Sequence, residues 1–172
     1  SSDAVKTTIS NNIDSYADSS EMNKYGAKFK FSKFQTVVDN SNSAITSNIT
    51  KIEIKRDMMP SLNQNAEYEL CFGNPFYVKD INGYNIKSSG FTVSGMADTV
   101  YLSDIPNQDM KTGTLILFTL LSRNNPVIVS TNVGTVDYER AEILLKPINI
   151  TGTTKTVQDL MILLDCKIFI YN

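Results

Sequence analysis

The stretch Gly113-Thr-Leu-Ile-Leu-Phe-Thr-Leu-Leu121 leaves this chain few folds to choose from. Its apolar and β-branched residues run without polar alternation from Thr112-Gly113 to Ser122-Arg-Asn-Asn-Pro126, the pattern of a strand covered on both faces. A buried helix would give the same run. This one, however, is short, starts at Gly, stops at Asn-Asn-Pro, and is followed by further strand patterns at Val127-Ile-Val129, Gly134–Tyr138 and Glu142–Lys146. The run is therefore expected to be the central strand of a sheet.

A chain of 172 residues is about one domain and needs no staple to hold its core. Its 16 Lys and Arg are outnumbered by 18 Asp and Glu and form no long basic run, so no nucleic-acid partner is expected. No apolar segment approaches the roughly 20 residues of a membrane span, so no membrane partner is expected either. There are 0 His, which removes histidine-dependent acid-base chemistry and the commonest metal ligand. Cys71 and Cys166 have no metal-ligand spacing and are expected to be two buried free thiols. No cofactor is implied. No signal peptide opens the chain, and a start at Ser1 without Met is expected of a processed chain or a fragment.

Taken in order, Asp3 is placed to cap a first helix whose Val5, Ile9, Ile13, Tyr16 and Ala17 share one face at helical spacing. A turn around Gly26 leads to a shorter helix, expected to open at Ser32 because Ser32-Lys-Phe-Gln35 has capping-box spacing. Phe34, Val37 and Val38 form its apolar face. From Ile49 to Arg56 the pattern alternates, with Ile52 and Ile54 opposed to Lys51, Glu53 and Lys55. Glu67–Phe72 alternates likewise, with Tyr68, Leu70 and Phe72 opposed to Glu67, Glu69 and Cys71. If these strands are antiparallel neighbours, the lysines and glutamates pair across them. Asn82-Gly83 predicts a type I′ hairpin between Tyr77–Ile81 and Tyr84–Ile86, with Gly83 but not Gly95 held at a positive φ. Phe91–Val93 and Thr99–Leu102 are short strand candidates, Ile105–Gly113 is a polar connection, and Ile148–Ile150 is another strand beyond Pro147. Over Val157–Ile170 the spacing of Val157, Leu160, Met161 and Leu164 suits a helix, while Ile168 and Ile170 alternate as in a strand.

The fold expected is α+β, with two N-terminal helices followed by a mainly antiparallel, β-rich domain. Residues 1–45 form the helical segment packed on the sheet, and residues 46–172 form the β-rich remainder of the same single domain. Candidate chemistry is thin. Asp137 and Glu139 flank Tyr138 with no histidine or metal set nearby and are expected on the solvent face of a strand. Asp104 and Asp109 bracket a loop that lacks calcium-loop spacing and is expected to be a solvated turn. The serines have no base to activate them, so no enzyme is expected.

Lys24-Tyr-Gly-Ala-Lys-Phe-Lys-Phe-Ser-Lys-Phe-Gln-Thr-Val-Val-Asp-Asn40, followed by Ser43-Ala-Ile-Thr-Ser-Asn-Ile-Thr-Lys-Ile-Glu-Ile-Lys-Arg56, resembles the C-terminal region of the baseplate wedge proteins of T-even-type contractile-tailed phages, in the baseplate J-like group. A second likeness lies at Asn132-Val-Gly-Thr-Val-Asp-Tyr138 and Glu142-Ile-Leu-Leu145, although Ala141 stands where the family has a glycine. The resemblance implies a structural protein of the virion tail baseplate, made in the host cytoplasm. It further implies a homodimer whose pairs join wedges into a ring around the hub and touch other wedge proteins. Chain ends are seldom this apolar, so Ile9, Ile13, Tyr16, Leu160, Leu164, Ile168 and Ile170 are expected to be covered either by the domain's own sheet or by a second copy; the resemblance favours the second copy and makes them the expected subunit interface. The alternative is a β-sandwich carbohydrate-binding or receptor-binding module, against which Tyr68, Tyr77, Tyr84, Tyr101 and Tyr138 are expected on separate strands and not in one cluster.

Overall fold

A computed structural model describes residues 2–50, 52–155 and 160–165, with Arg123 and residues 160–165 described by their backbone. The chain divides into two compact units, Ser1–Lys51 and Ile52–Asn172. The helices precede the strands and every strand pair is antiparallel, so the α+β class stands as expected.

In the first unit α1 (Ser2–Ala17) packs against α2 (Phe31–Asp39). Asp3 does not cap α1. It lies inside the first turn, where a carboxylate suits the positive end of the helix dipole. The capping box at Ser32 is not formed either: α2 starts one residue earlier, Lys30 is its N-cap, and no side chain bonds there. Ser32 instead offers its carbonyl to the Thr36 hydroxyl within the helix. Val5, Ile9, Ile13 and Tyr16 of α1 and Phe34, Val37 and Val38 of α2 are half-buried, and neither helix has a fully buried residue.

The second unit holds two sheets. The larger has the order β2 (Asn65–Cys71), β8 (Glu142–Thr153), β7 (Asn125–Asp137), β6 (Thr112–Leu121), β5 (Tyr101–Pro106). β4 (Phe91–Val93) closes it. β4 pairs with the outer half of β8, and Phe91 and Val100 exchange backbone hydrogen bonds of 2.9 and 2.8 Å at the start of β5. The pairing therefore runs in a ring, β8–β7–β6–β5–β4–β8, which removes most of the free edges. The core lies within it: Phe91, Leu102, Leu115, Leu117, Val136, Tyr138, Ile143, Leu145 and Ile150 are all buried. β6 is the uninterrupted apolar run, and Leu115, Ile116 and Leu117 are covered on both faces. Its last residues, Leu120 and Leu121, are exposed, and it stands next to the edge strand β5 and not at the centre.

β8 runs unbroken through Pro147, where a register shift opposite Ala66 and Tyr68 takes up the proline that cannot donate to a ladder. β2 alternates as expected, with Tyr68 and Leu70 inward and Glu67, Glu69 and Cys71 outward. Cys71 is consequently an exposed free thiol, not a buried one, and Cys166 lies outside the described residues. The smaller sheet has the order β1 (Glu53–Met58), β9 (Leu160–Asp165), β3 (Ile86–Ser88). β1 and β2 are thus in different sheets, so among the described residues Lys55 does not pair with the glutamates of β2 as expected, and Lys51 lies outside the described residues. Lys55 lies 3.6 Å from Asp57 of its own strand.

Candidate assembly surfaces

Four facts bear on the residues expected to mediate self-association. Ile9, Ile13 and Tyr16 lie on α1 and are half-buried. Leu160 and Leu164 lie on β9, the middle strand of the small sheet, opposite Met58 and Ile54 of β1; the tract is a strand there and not a helix. On its other side β9 meets β3, with Leu164 opposite Ile86. Ile168 and Ile170 lie outside the described residues.

Asp104 is where the structure departs furthest from a solvated turn. β5 continues to Pro106, and Asp104 is 0% exposed. Its Oδ2 accepts hydrogen bonds from the Tyr138 hydroxyl at 2.7 Å and from Asn85 Nδ2 at 2.9 Å, while Oδ1 accepts the Ile86 N–H at 2.7 Å. Asn85 Oδ1 in turn accepts the N–H groups of Lys79 and Asp80, each at 2.8 Å. Along the same edge of β5, Tyr84 N–H donates to the Asp104 carbonyl, the Ser103 hydroxyl to the Ile86 carbonyl, and Leu102 N–H to the Ser88 hydroxyl. Side chains here replace a ladder, so residues 84–88 seal the edge of β5 without being its strand partner.

This explains why the expected hairpin at Asn82-Gly83 is absent. Lys79 and Asp80 have their amides taken by Asn85, and no strand forms before the turn. The turn itself is closed by Gly83 N–H to the Asp80 carbonyl, with positive φ at Gly83 (105°) and Tyr84 (62°), so it is not type I′. Gly95 also adopts a positive φ, 82°, contrary to expectation.

Burial, and then the hydrogen bond to Asp104, pushes the Tyr138 phenol far above its ordinary range. Tyr138 is 2% exposed at the end of β7, so the pair is a closed structural pin and not a reactive site. Asp137 is half-buried with its Oδ1 accepting the Arg140 N–H, and exposed Glu139 pairs with Lys111 at 3.1 Å; both serve the β7–β8 turn. Asp109 Oδ1 accepts the N–H groups of Lys111 and Thr112, which hold its carboxyl below the usual range in an exposed turn. Among the described residues no three His, Cys, Asp or Glu side chains converge as a metal site would require.

Two surface features have no counterpart in the sequence reading. Tyr84, Phe118 and Tyr101 form one cluster, with ring centroids 5.3 Å apart for Tyr84–Phe118 and 5.5 Å for Tyr101–Phe118, so these tyrosines are not scattered. Beside them is an open pocket lined by Asp98, Thr99, Tyr101, Thr119, Leu120 and Leu121. Beyond the pocket the tip of the β6–β7 hairpin carries exposed Leu120, Leu121, Val127, Ile128 and Val129.

Residues 1–57 match the family model of baseplate structural protein gp6, C-terminal domain III. The resemblance seen in Lys24–Arg56 is borne out over that segment, whereas the likeness at Asn132–Leu145 falls beyond the match. No curated protein and no solved structure matches the chain. The matched segment ends in β1, whose backbone is paired by β9 from the far end of the chain, so the matched part and the unmatched part share a sheet.

Proposed function

We propose that this chain is a structural component of a phage tail baseplate, located in the virion and acting without catalysis. The match of residues 1–57 to the gp6 domain carries the reading. In its finer form the protein is a wedge component of a contractile tail that pairs with a second copy, touches other wedge proteins, and helps join wedges into a ring around the hub. The face of Ile9, Ile13 and Tyr16 on α1 is one pairing surface. Support comes from the first unit, in which no hydrophobic side chain is fully buried, so that its apolar face has surface left to cover. The C-terminal tract of Leu160, Leu164, Ile168 and Ile170 is proposed as another pairing surface.

The test is localisation. A tagged chain expressed during infection is expected in purified tails, with label at the baseplate in electron micrographs; tails that lack it would refute the reading. A second reading, a carbohydrate-binding or receptor-binding module, is favoured by the Tyr84–Phe118–Tyr101 cluster beside its pocket. Saturable binding to a glycan array that is lost on Tyr101→Ala would establish it.

A further inference from the structure

The β6–β7 hairpin is longer than the sheet that carries it. β5 stops pairing at Tyr101, opposite Phe118, and β8 pairs with β7 only at Gly134–Asp137 before its outer half turns to β4. Beyond those points the pairs Thr119–Val127, Leu120–Pro126 and Leu121–Asn125 stand as a two-stranded arm. Its Leu120, Leu121, Val127, Ile128 and Val129 are 40%, 55%, 41%, 42% and 44% exposed. Two strands on their own are marginal in water, and a long uncovered edge is a template for another strand.

Among the described residues the edge of β7 from Asn125 to Val133 has no partner strand. Asn-Pro-Val-Ile-Val-Ser-Thr-Asn-Val has no charged residue, although natural edges are usually blunted by lysine or other inward charges. Pro126, near the tip, is its one interruption. Lys146 of β8 donates its Nζ to Asn132 Oδ1 at 2.8 Å, at the base of the arm.

We propose that this edge is a homotypic interface: β7 pairs antiparallel with β7 of a second copy across a two-fold axis centred on Val129. The proposal deepens the self-association reading and rests on it, but its geometry is independent of the terminal surface. A second copy is the occupant because an uncharged strand is complementary to itself: an isologous antiparallel pair sets each residue against the same stretch with no like charges opposed. Centred on Val129, the axis places Asn132 of one copy opposite Pro126 of the other. The two Lys146 ammonium groups are then about six residues apart along the strands, roughly 20 Å at about 3.3 Å per residue, well beyond the screening length of about 8 Å. The joined hairpins become one four-stranded sheet whose apolar faces cover each other's tips.

The experiment uses the whole chain in a Cys71→Ser, Cys166→Ser background. Light scattering is expected to give a dimer at tens of micromolar, and hydrogen exchange to give slow amides over Val127–Thr131. Val129→Lys places like charges opposite one another at the axis; it is expected to weaken dimerisation about tenfold or more, to free those amides, and to leave circular dichroism unchanged because Val129 is exposed. Single cysteines placed at positions 127 to 131 should cross-link two copies best at Val129→Cys. A wild-type mass of one chain at those concentrations, a dimer untouched by Val129→Lys, or cross-linking that is flat across the five positions would overturn the proposal. A dimer split by Ile9→Asp and not by Val129→Lys would do so as well, while leaving self-association and the baseplate reading in place.

Discussion

Removing Asp104 should be the most damaging single polar substitution in the β-rich unit, and the structure gives the size of the effect. Three donors meet its carboxyl: the Tyr138 hydroxyl, the Asn85 amide and the Ile86 N–H, all with Asp104 itself fully buried. Asp104→Ala takes the acceptor from the Tyr138 hydroxyl and the Ile86 N–H and leaves Asn85 Nδ2 only the Asp80 carbonyl; a buried unsatisfied group costs about 1–3 kcal/mol, which gives roughly 2–6 kcal/mol for the two. Set against a domain stability of about 5–15 kcal/mol, that is enough to bring the unit close to unfolding. Tyr138→Phe removes one hydrogen bond to a charged acceptor and leaves Oδ2 its bond from Asn85, so about 1.5–3 kcal/mol is expected. The double variant should cost about 2 kcal/mol less than the sum, because without Asp104 the phenol has no partner left to lose.

Urea unfolding followed by circular dichroism in the β region measures all four corners of this cycle. Additivity within about 0.5 kcal/mol, or an Asp104→Ala cost below about 1 kcal/mol, would refute the claim that this network pins residues 84–88 to β5.

The same phenol predicts a pH dependence. The native state keeps the Tyr138 proton while the unfolded chain releases it above about pH 10, so the unfolded state binds fewer protons and stability falls as pH rises beyond that point. Denaturation midpoints between pH 9 and 11 should show that decline, and Tyr138→Phe should lessen it. Gly83→Ala should cost about 3 kcal/mol or more, since its Cβ would lie 2.2 Å from the Asp104 carbonyl oxygen at a φ of 105°; Gly95→Ala meets open space and should cost only about 1 kcal/mol, both read from thermal unfolding. Asp57 accepts a hydrogen bond from Lys155 at 2.7 Å that holds its carboxyl below the ordinary range, so a carbon-detected titration should find a low midpoint that rises in Lys155→Met. Cys71 should react with a thiol reagent in the native protein without denaturant.

What was legible in the sequence was local. The alternation of β2, the uninterrupted apolar run of β6 and the 3.6-residue spacing of α1 each follow from which side of one element is covered, and each element formed where its pattern lay. Pairing was not legible, because it depends on contacts far apart in the chain. β1 alternates as though it could join any neighbour, and only the fold decides that it joins β9, about a hundred residues downstream, and not β2. Asp104 was missed for a different reason. An aspartate ahead of Ile-Pro-Asn looks like a turn, yet continuing the strand pattern of Thr99–Leu102 by two residues puts Asp104 on the same face as Val100 and Leu102, both of them buried. That parity was the available signal, and turn composition concealed it.

The two readings of the surface now come down to how the chain treats its strand edges. β5 is sealed by side chains: Asp104, Ser103 and Ser88 supply the bonds that a neighbouring strand would have made, at the cost of burying a carboxylate that needs all three of its donors. β8 is covered on its outer half by β4, and the bridge from Phe91 to Val100 closes the ring. Among the described residues, by contrast, the outer half of β7 has no partner strand on its far edge, carries no charged residue and is flanked by five exposed apolar side chains. The same sheet therefore shows both treatments of an edge, and the difference between them locates the contact. Charging Val129 should leave the sealed edge and the fold untouched while weakening the contact, whereas removing Asp104 should loosen residues 84–88 and lower the stability of the unit itself.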